Sequence, residues 1–278
     1  MRFLSILCRC ALILFLNPFG VPALLLAAAG PAHAQAKPYE PATVTYKRPF
    51  DTDTALKNLI DSLHRAIAEK DLKILDAALS PSFIALDCSP DPTKPCGLPV
   101  KTAAKATAKL PAPARLRAAL CCRDIAPNHI TKAMREEAVL GFVAAALEED
   151  SIGTHPDLPG LACVPAWPLF DRAKASAIAT AADVEPGNLR VTGHEIALLL
   201  LPAASAGESA RLPAGQIAPL VSDLPDSLPD GWTAIALPQG GIGYTDQLGL
   251  NEIAPGGLCF GKNAKGDWDI ALTIQRRS

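Results

Sequence analysis

Apolar positions along the chain follow two different periods. From residue 53 the spacing is helical. Leu56, Leu59, Ile60, Leu63 and Ile67 recur at three- and four-residue steps, and Asp53 or Thr54 stands where an N-cap belongs. "KDLKILDAALSPSF" predicts a second, short helix stopped by Ser80-Pro81. A third covers "HITKAMREEAVLGFVAAALEED", where Ile130, Met134, Val139, Phe142, Val143 and Leu147 share a face and the carboxylates line the solvated one. A fourth starts near Asp171 and ends near Pro186-Gly187. From Leu189 onward the period shortens to two. "EIALLLL", "QIAPLV", "WTAIAL", "GIGYT", "GLCFG" and "WDIALTIQ" are short apolar runs between turn residues, the spacing of a small antiparallel barrel or sandwich. The last is the most regular, with Trp268, Ile270, Leu272 and Ile274 alternating against Asp269, Ala271, Thr273 and Gln275.

The segments between these elements are rich in proline. Residues 35–50, with Pro38, Pro41 and Pro49, predict an extended linker or edge segment. "KTAAKATAKLPAPAR", 101–115, reads as a connector or weak helix. The run before Asp171 predicts a loop ordered by prolines and Trp167. No internal repeat is present.

The first 34 residues change the picture of compartment. Arg2 and Arg9 precede an apolar run broken by Pro18, Gly20 and Pro22, and Ala32-His33-Ala34 has the small residues of a cleavage site. That layout predicts a secretory signal peptide rather than an anchor, and hence a periplasmic or secreted protein. Removing it leaves 244 residues with 24 Lys+Arg against 28 Asp+Glu, a net charge of −4. A mildly acidic chain lacks the basic footprint of a nucleic-acid binder. No later run is long and apolar enough to span a membrane. Six cysteines remain: Cys88, Cys96, Cys121, Cys122, Cys163 and Cys259, an even count that suits disulfides in an oxidising compartment. Cys88 and Cys96, eight residues apart across a Pro-rich loop, are the expected local pair. Cys259 alternates with Leu258 and Phe260, which places it outside the barrel core and able to link to the helical half.

In "GWTAIALPQGGIGYTD", Gly231-Trp232 opens a strand, Pro238 to Gly241 makes a turn, and Gly243-Tyr244 lies in the returning strand. Gly240 falls eight residues after Trp232, and Tyr244 twelve after it. This stretch resembles the bacterial SH3-like (SH3b) family, which carries Gly-Trp, a hydrophobic strand, a turn glycine and then Gly-aromatic. Upstream, "IALLLLPAASAGESARLPAGQIAPLV" is similar to the family's opening strand, Pro-containing loop and Leu-Pro-x-Gly turn, although only Pro202 of its usual polar first-loop element is kept. The likeness covers residues 189–250. It implies a five-stranded barrel whose exposed aromatics bind peptide or glycan parts of the envelope, with Trp232, Tyr244, Gly240 and Gly243 as ligand-binding residues. Alternation puts Ile235 and Leu237 in the core, and Trp232, Ala234 and Ala236 on the other face. Trp232 then seals an interface with the helical half or lines a groove. A second, fainter likeness joins "RAIAEKDLKILDAALSPSF" to the opening of NTF2-like α+β domains and "KGDWDIALTI" to their final strand.

Catalytic chemistry finds little support. A cysteine nucleophile needs a neighbouring histidine base, and Cys121, Cys122 or Cys163 with His129, His155 or His194 lie in no recognisable motif. Adjacent Cys121 and Cys122 cannot easily share one tetrahedral zinc. No phosphate loop, His-Glu-x-x-His or Gly-x-Ser-x-Gly occurs. His64 and the Asp51/Asp53 and Glu136/Glu137 pairs fit helix surfaces and starts. The sequence thus predicts an α+β protein: a helical, disulfide-bearing domain over 51–187 packed on an SH3b-like antiparallel β-barrel with a C-terminal hairpin over 188–278. The expected role is non-catalytic, with peptidoglycan or an envelope protein as partner and no cofactor or metal. A cell-wall hydrolase with a cysteine nucleophile is the alternative.

Overall fold

The computed structural model describes residues 36–89, 91–96, 109–121, 125, 127–148, 151–224 and 227–276. The predicted signal peptide, Cys122 and the connector over 101–108 lie outside the described residues.

Five α-helices and twelve strands are present among the described residues. Helix α1 (Thr54–Glu69) starts where the sequence places it, because the Asp53 carboxylate accepts the Leu56 N–H at 3.0 Å. It buries Leu56, Leu63 and Ala66. Helix α2 (Leu72–Ala77) is capped by Asp71, and α3 spans Ala112–Leu120. Helix α4 (Lys132–Leu147) begins at Thr131, whose hydroxyl accepts from Met134 N, and buries Val139, Val143 and Leu147. Helix α5 (Arg172–Ala182) is capped by Asp171 through two backbone N–H groups.

A mixed five-stranded sheet carries α1 to α4, while α5 packs against the extended segment after residue 35, Leu189 and Ile217. The order of the sheet is β1 (Leu79–Cys88), β12 (Trp268–Arg276), β11 (Gly257–Lys262), β3 (Leu158–Val164) and β2 (Gly153–His155). β1 runs parallel to β12, and the remaining neighbours are antiparallel. The first large core lies on one face, where Phe83, Ala162, Leu258, Phe260 and Ile270 meet Leu56, Leu63, Val139 and Val143.

This sheet corrects the expected domain division. The C-terminal hairpin β11–β12 pairs with β1 and β3, so it belongs with the helical half and not with a barrel. The 51–187 segment is accordingly not all helical. β1 continues straight from the second helix through Pro81, which a strand tolerates at a sheet edge beside an irregular register, here between Leu79 and Ile84. The regular last run is also interrupted. Ile270 pairs with Phe260 and Leu272 with Cys259, so Ala271 is an extra residue, a bulge that turns the strand over. Trp268 and Ile270 join the first core, while Leu272 and Ile274 face a second with Leu86, Cys163, Trp167 and Cys259.

Between β3 and β11 the chain builds an insert. Strands β4 (Leu189–Thr192), β5 (Ile196–Leu199), β6 (Glu208–Leu212), β7 (Ile217–Pro219), β8 (Thr233–Ala236), β9 (Ile242–Thr245) and β10 (Leu250–Glu252) form two antiparallel sheets. Their orders are β10-β4-β7 and β6-β5-β9-β8, and neither closes on itself. The bridge between Leu220 and Ile235 joins them, with Val221 N donating to Ala234 O. Ile196, Leu198, Leu212, Ile235 and Leu237 form the core of the insert, with Ile235 and Leu237 paired there as alternation predicts.

The extended segment after residue 35 is a strap. Ala36 O accepts from Gly241 N, Lys37 N donates to Ala181 O, and Tyr39 N donates to Pro238 O. Further along, Val44 N donates to Gly215 O, Thr45 exchanges hydrogen bonds with Leu169, and Lys47 O accepts from Thr154 N. Ala42 and Val44 are buried beside Ala175, Ile178, Leu189 and Ile217. The strap therefore ties the insert, α5 and the five-stranded sheet together.

Two disulfides join described residues to one another. Cys88 and Cys96 close the Pro-rich loop, their Cα atoms 4.8 Å apart. Cys163 and Cys259 are register partners on adjacent strands, 4.0 Å between Cα atoms, and the bond closes the neck of the insert. Cys259 does lie opposite in facing to Leu258 and Phe260, but that second face is itself fully buried under Trp167 and Ala254.

Candidate functional site

The β8–β9 hairpin carries the residues singled out by sequence. Its turn needs positive φ at Gly240 (92°) and Gly241 (81°), which glycine adopts without a Cβ penalty. Gly240 N donates to Leu237 O and Leu237 N to Gly241 O, closing the turn at 2.9 and 3.0 Å. Ala234 lies directly opposite Tyr244. Trp232 stands immediately ahead of β8, two positions before Ala234, and its N–H donates to Pro229 O at 3.1 Å. The Trp232 and Tyr244 side chains are both half-buried.

The two faces of the hairpin differ. On the inner one Ile235 is opposite Gly243, and a Cβ on Gly243 would sit 2.9 Å from Leu198 Cβ and 3.0 Å from Leu237 Cδ2. Gly243 is therefore a packing glycine that lets the core close. On the outer face Ala236 is fully buried beside Ala36 and Ala182, under Tyr39. Gly240 abuts the same strap, with the position of its absent Cβ 3.1 Å from Ala36 O. One end of the outer face is consequently covered, while Tyr244 lies opposite Ala234 toward the other end and Trp232 precedes the strand. Trp232 joins none of the apolar clusters formed by the described residues. Tyr244 borders half-buried Leu199, after which Leu200 and Leu201 stand 59% and 62% exposed.

Two of the three thiols considered for nucleophilic chemistry are otherwise engaged, and the third, Cys122, lies outside the described residues. Cys163 is bonded to Cys259, and Cys121, buried, is also disulfide-bonded. Of the three histidines weighed as bases, His129 and His194 are exposed, whereas His155 is buried against the Trp167 ring at 4.1 Å between centroids. Its Nδ1 accepts the Asp157 N–H. Burial, opposed by the Asp157 carboxylate and aided by the Arg172 guanidinium, lowers its pKa to about 4, so it stays neutral. Asp157 in turn binds Arg172 and the Cys96 N–H. These partners outweigh the burial that works to raise it, and its pKa is lowered. The group is a structural knot beside the first disulfide.

A concavity that no local pattern announces lies between the insert and the sheet body. It encloses about 680 Å³ and takes Tyr46 and Arg48 from the strap, Phe142 from α4, and Leu250, Asn251 and Glu252 from β10. These segments are scattered over two hundred positions of sequence, so only the fold assembles them.

No family model matches the chain, and no curated protein or solved structure matches it. The functional reading therefore rests on the geometry.

Proposed function

We propose that the protein is an exported, non-catalytic binding protein of the cell envelope, whose insert is an SH3b-like module presenting Trp232 and Tyr244 to a peptide or glycan ligand. The observation that carries this is the division of labour within one hairpin. Ile235 and Leu237 complete the core of the insert without the two aromatics, which stand half-exposed outside it. In a chain with only 5% aromatic residues, two large rings left outside the core suit a binding surface better than packing.

The strand order supports the module. β10-β4-β7 and β6-β5-β9-β8, bridged through Leu220 and Ile235, give the short antiparallel strands of an SH3-like module, although β4 and β7 bury Leu189, Val191 and Ile217 under the strap and α5 and not in the core of Ile196, Leu198 and Ile235. The body supports the second likeness. The helical run and the final strand that resemble an NTF2-like opening and close meet in one sheet, with Leu79 opposite Ile270. The two disulfides and the signal-like N-terminus favour the periplasm or cell exterior.

Co-sedimentation of the purified protein with isolated sacculi, run beside a muropeptide-release assay, tests the reading. Binding without release is the expected result. Release of muropeptides would replace it with a hydrolase.

A further inference from the structure

We infer that the cleft between the insert and the sheet body binds a short peptide with a free C-terminal carboxylate, laid along the edge of β10. The site is separate from the Trp232 face and does not rest on that reading. About 680 Å³ at a junction between two packed units is the size and place usual for ligand sites.

One wall is a strand edge. β10 is the terminal strand of its sheet and pairs only with β4, and all three of its residues line the cleft. An edge strand offers a row of backbone donors and acceptors, which an extended peptide satisfies by adding a strand. The anchor for charge is Arg48. Its guanidinium lies over the Tyr46 ring, 5.9 Å from the centroid, and makes no ion pair among the described residues. The planar fork of a guanidinium matches a carboxylate with two parallel hydrogen bonds. The Tyr46 ring stays 39% exposed, and it is the strand edge of β10 that favours an extended peptide as the occupant.

Small residues hold the space open. A Cβ on Gly193 would stand 3.0 Å from Asn251 Nδ2, and one on Gly256 would stand 3.3 Å from Ile274 O and 3.9 Å from Phe142 Cε2. Glycine at 193 thus leaves room for the Asn251 amide on the β4 side of β10, within the lining of the cleft. Phe142, Pro165, Pro168 and Leu250 supply an apolar wall for aliphatic side chains.

The test titrates the disulfide-intact protein with Ala-Leu-Ala as the free acid and as the C-terminal amide, read by calorimetry and by backbone amide shifts. The free acid is expected to bind at least about tenfold more tightly than the amide, with shifts at residues 250–252. Arg48→Gln, at an exposed position, should remove that preference without lowering the melting temperature. Asn251→Ala should weaken both probes, and Trp232→Ala should bind as the wild type does. Equal affinity for acid and amide, no binding of either, or shifts confined to 232–244 would overturn the inference.

Discussion

The Tyr39 hydroxyl donates to the carbonyl of Ala236 at 2.8 Å, across 197 residues of sequence. This bond fixes the strap on the outer face of the β8–β9 hairpin, where Ala236 is fully buried. Tyr39→Phe keeps the ring and removes the bond, and should cost about 1 kcal/mol in urea unfolding at neutral pH. Burial also raises the Tyr39 phenol above its ordinary value of 10.0. Stability from this group is therefore present below pH 10.0 and declines above it, where only the unfolded chain ionises. The phenylalanine variant should lack that alkaline component. Identical alkaline profiles for the two proteins would contradict the placement of the strap.

The Cys163–Cys259 bond closes a loop with a sequence separation of 96, and Cys88–Cys96 closes one of 8. Chain entropy makes the longer link worth about 4.7 kcal/mol and the shorter roughly 2–3 kcal/mol. Thermal melts of Cys163→Ala/Cys259→Ala and Cys88→Ala/Cys96→Ala should rank in that order. The reverse ranking would mean that strain or unfolded-state structure, and not loop length, decides.

Acid should loosen the His155 knot. The folded pKa near 4 lies below the ordinary value of 6.5, so the unfolded chain binds the extra proton between these limits. The stability contributed is complete above pH 6.5 and is lost as the pH falls toward 4, by about 3 kcal/mol. Asp157, with its pKa also lowered, adds to the loss at still lower pH. His155→Asn retains an acceptor for the Asp157 N–H but does not titrate. Its stability should be flatter than that of the wild type between pH 6.5 and 4, as followed by denaturant midpoints.

Gly243→Ala should destabilise by about 1–3 kcal/mol, because the new methyl meets Leu198, Leu237 and Ser209 within 3.1 Å. Gly241→Ala differs, since no atom lies within 4 Å of its Cβ position and only the positive φ of 81° resists the change. Comparing the two melting temperatures separates packing from backbone strain.

Local order was legible in the sequence wherever a cap and a period coincide. Asp53, Thr131 and Asp171 cap α1, α4 and α5, and Ile235 and Leu237 reach the core as alternation predicts. Pairing between distant strands was not. β1 and β12 stand nearly two hundred residues apart and meet only because both bury one face against the same helices, a fact that no window of periodicity contains. The hairpin β2–β3 was hidden by its brevity and by Pro156 and Pro159. Trp232 and Tyr244 are singled out through the SH3b resemblance of their stretch, whereas Arg48 and Asn251 share a cleft through tertiary packing.

Trp232→Ala is the most direct test of the binding face. Melting temperature and sacculus co-sedimentation should be measured together on this variant and on Tyr244→Phe. With the insert core held by Ile235 and Leu237, the variant should keep a melting temperature near the wild-type value and lose sacculus binding, while Tyr244→Phe retains its ring and most of the binding. A drop of stability by about 3–5 kcal/mol in Trp232→Ala, the cost of truncating a buried large aromatic, with wild-type protein that never binds sacculi, would contradict the account.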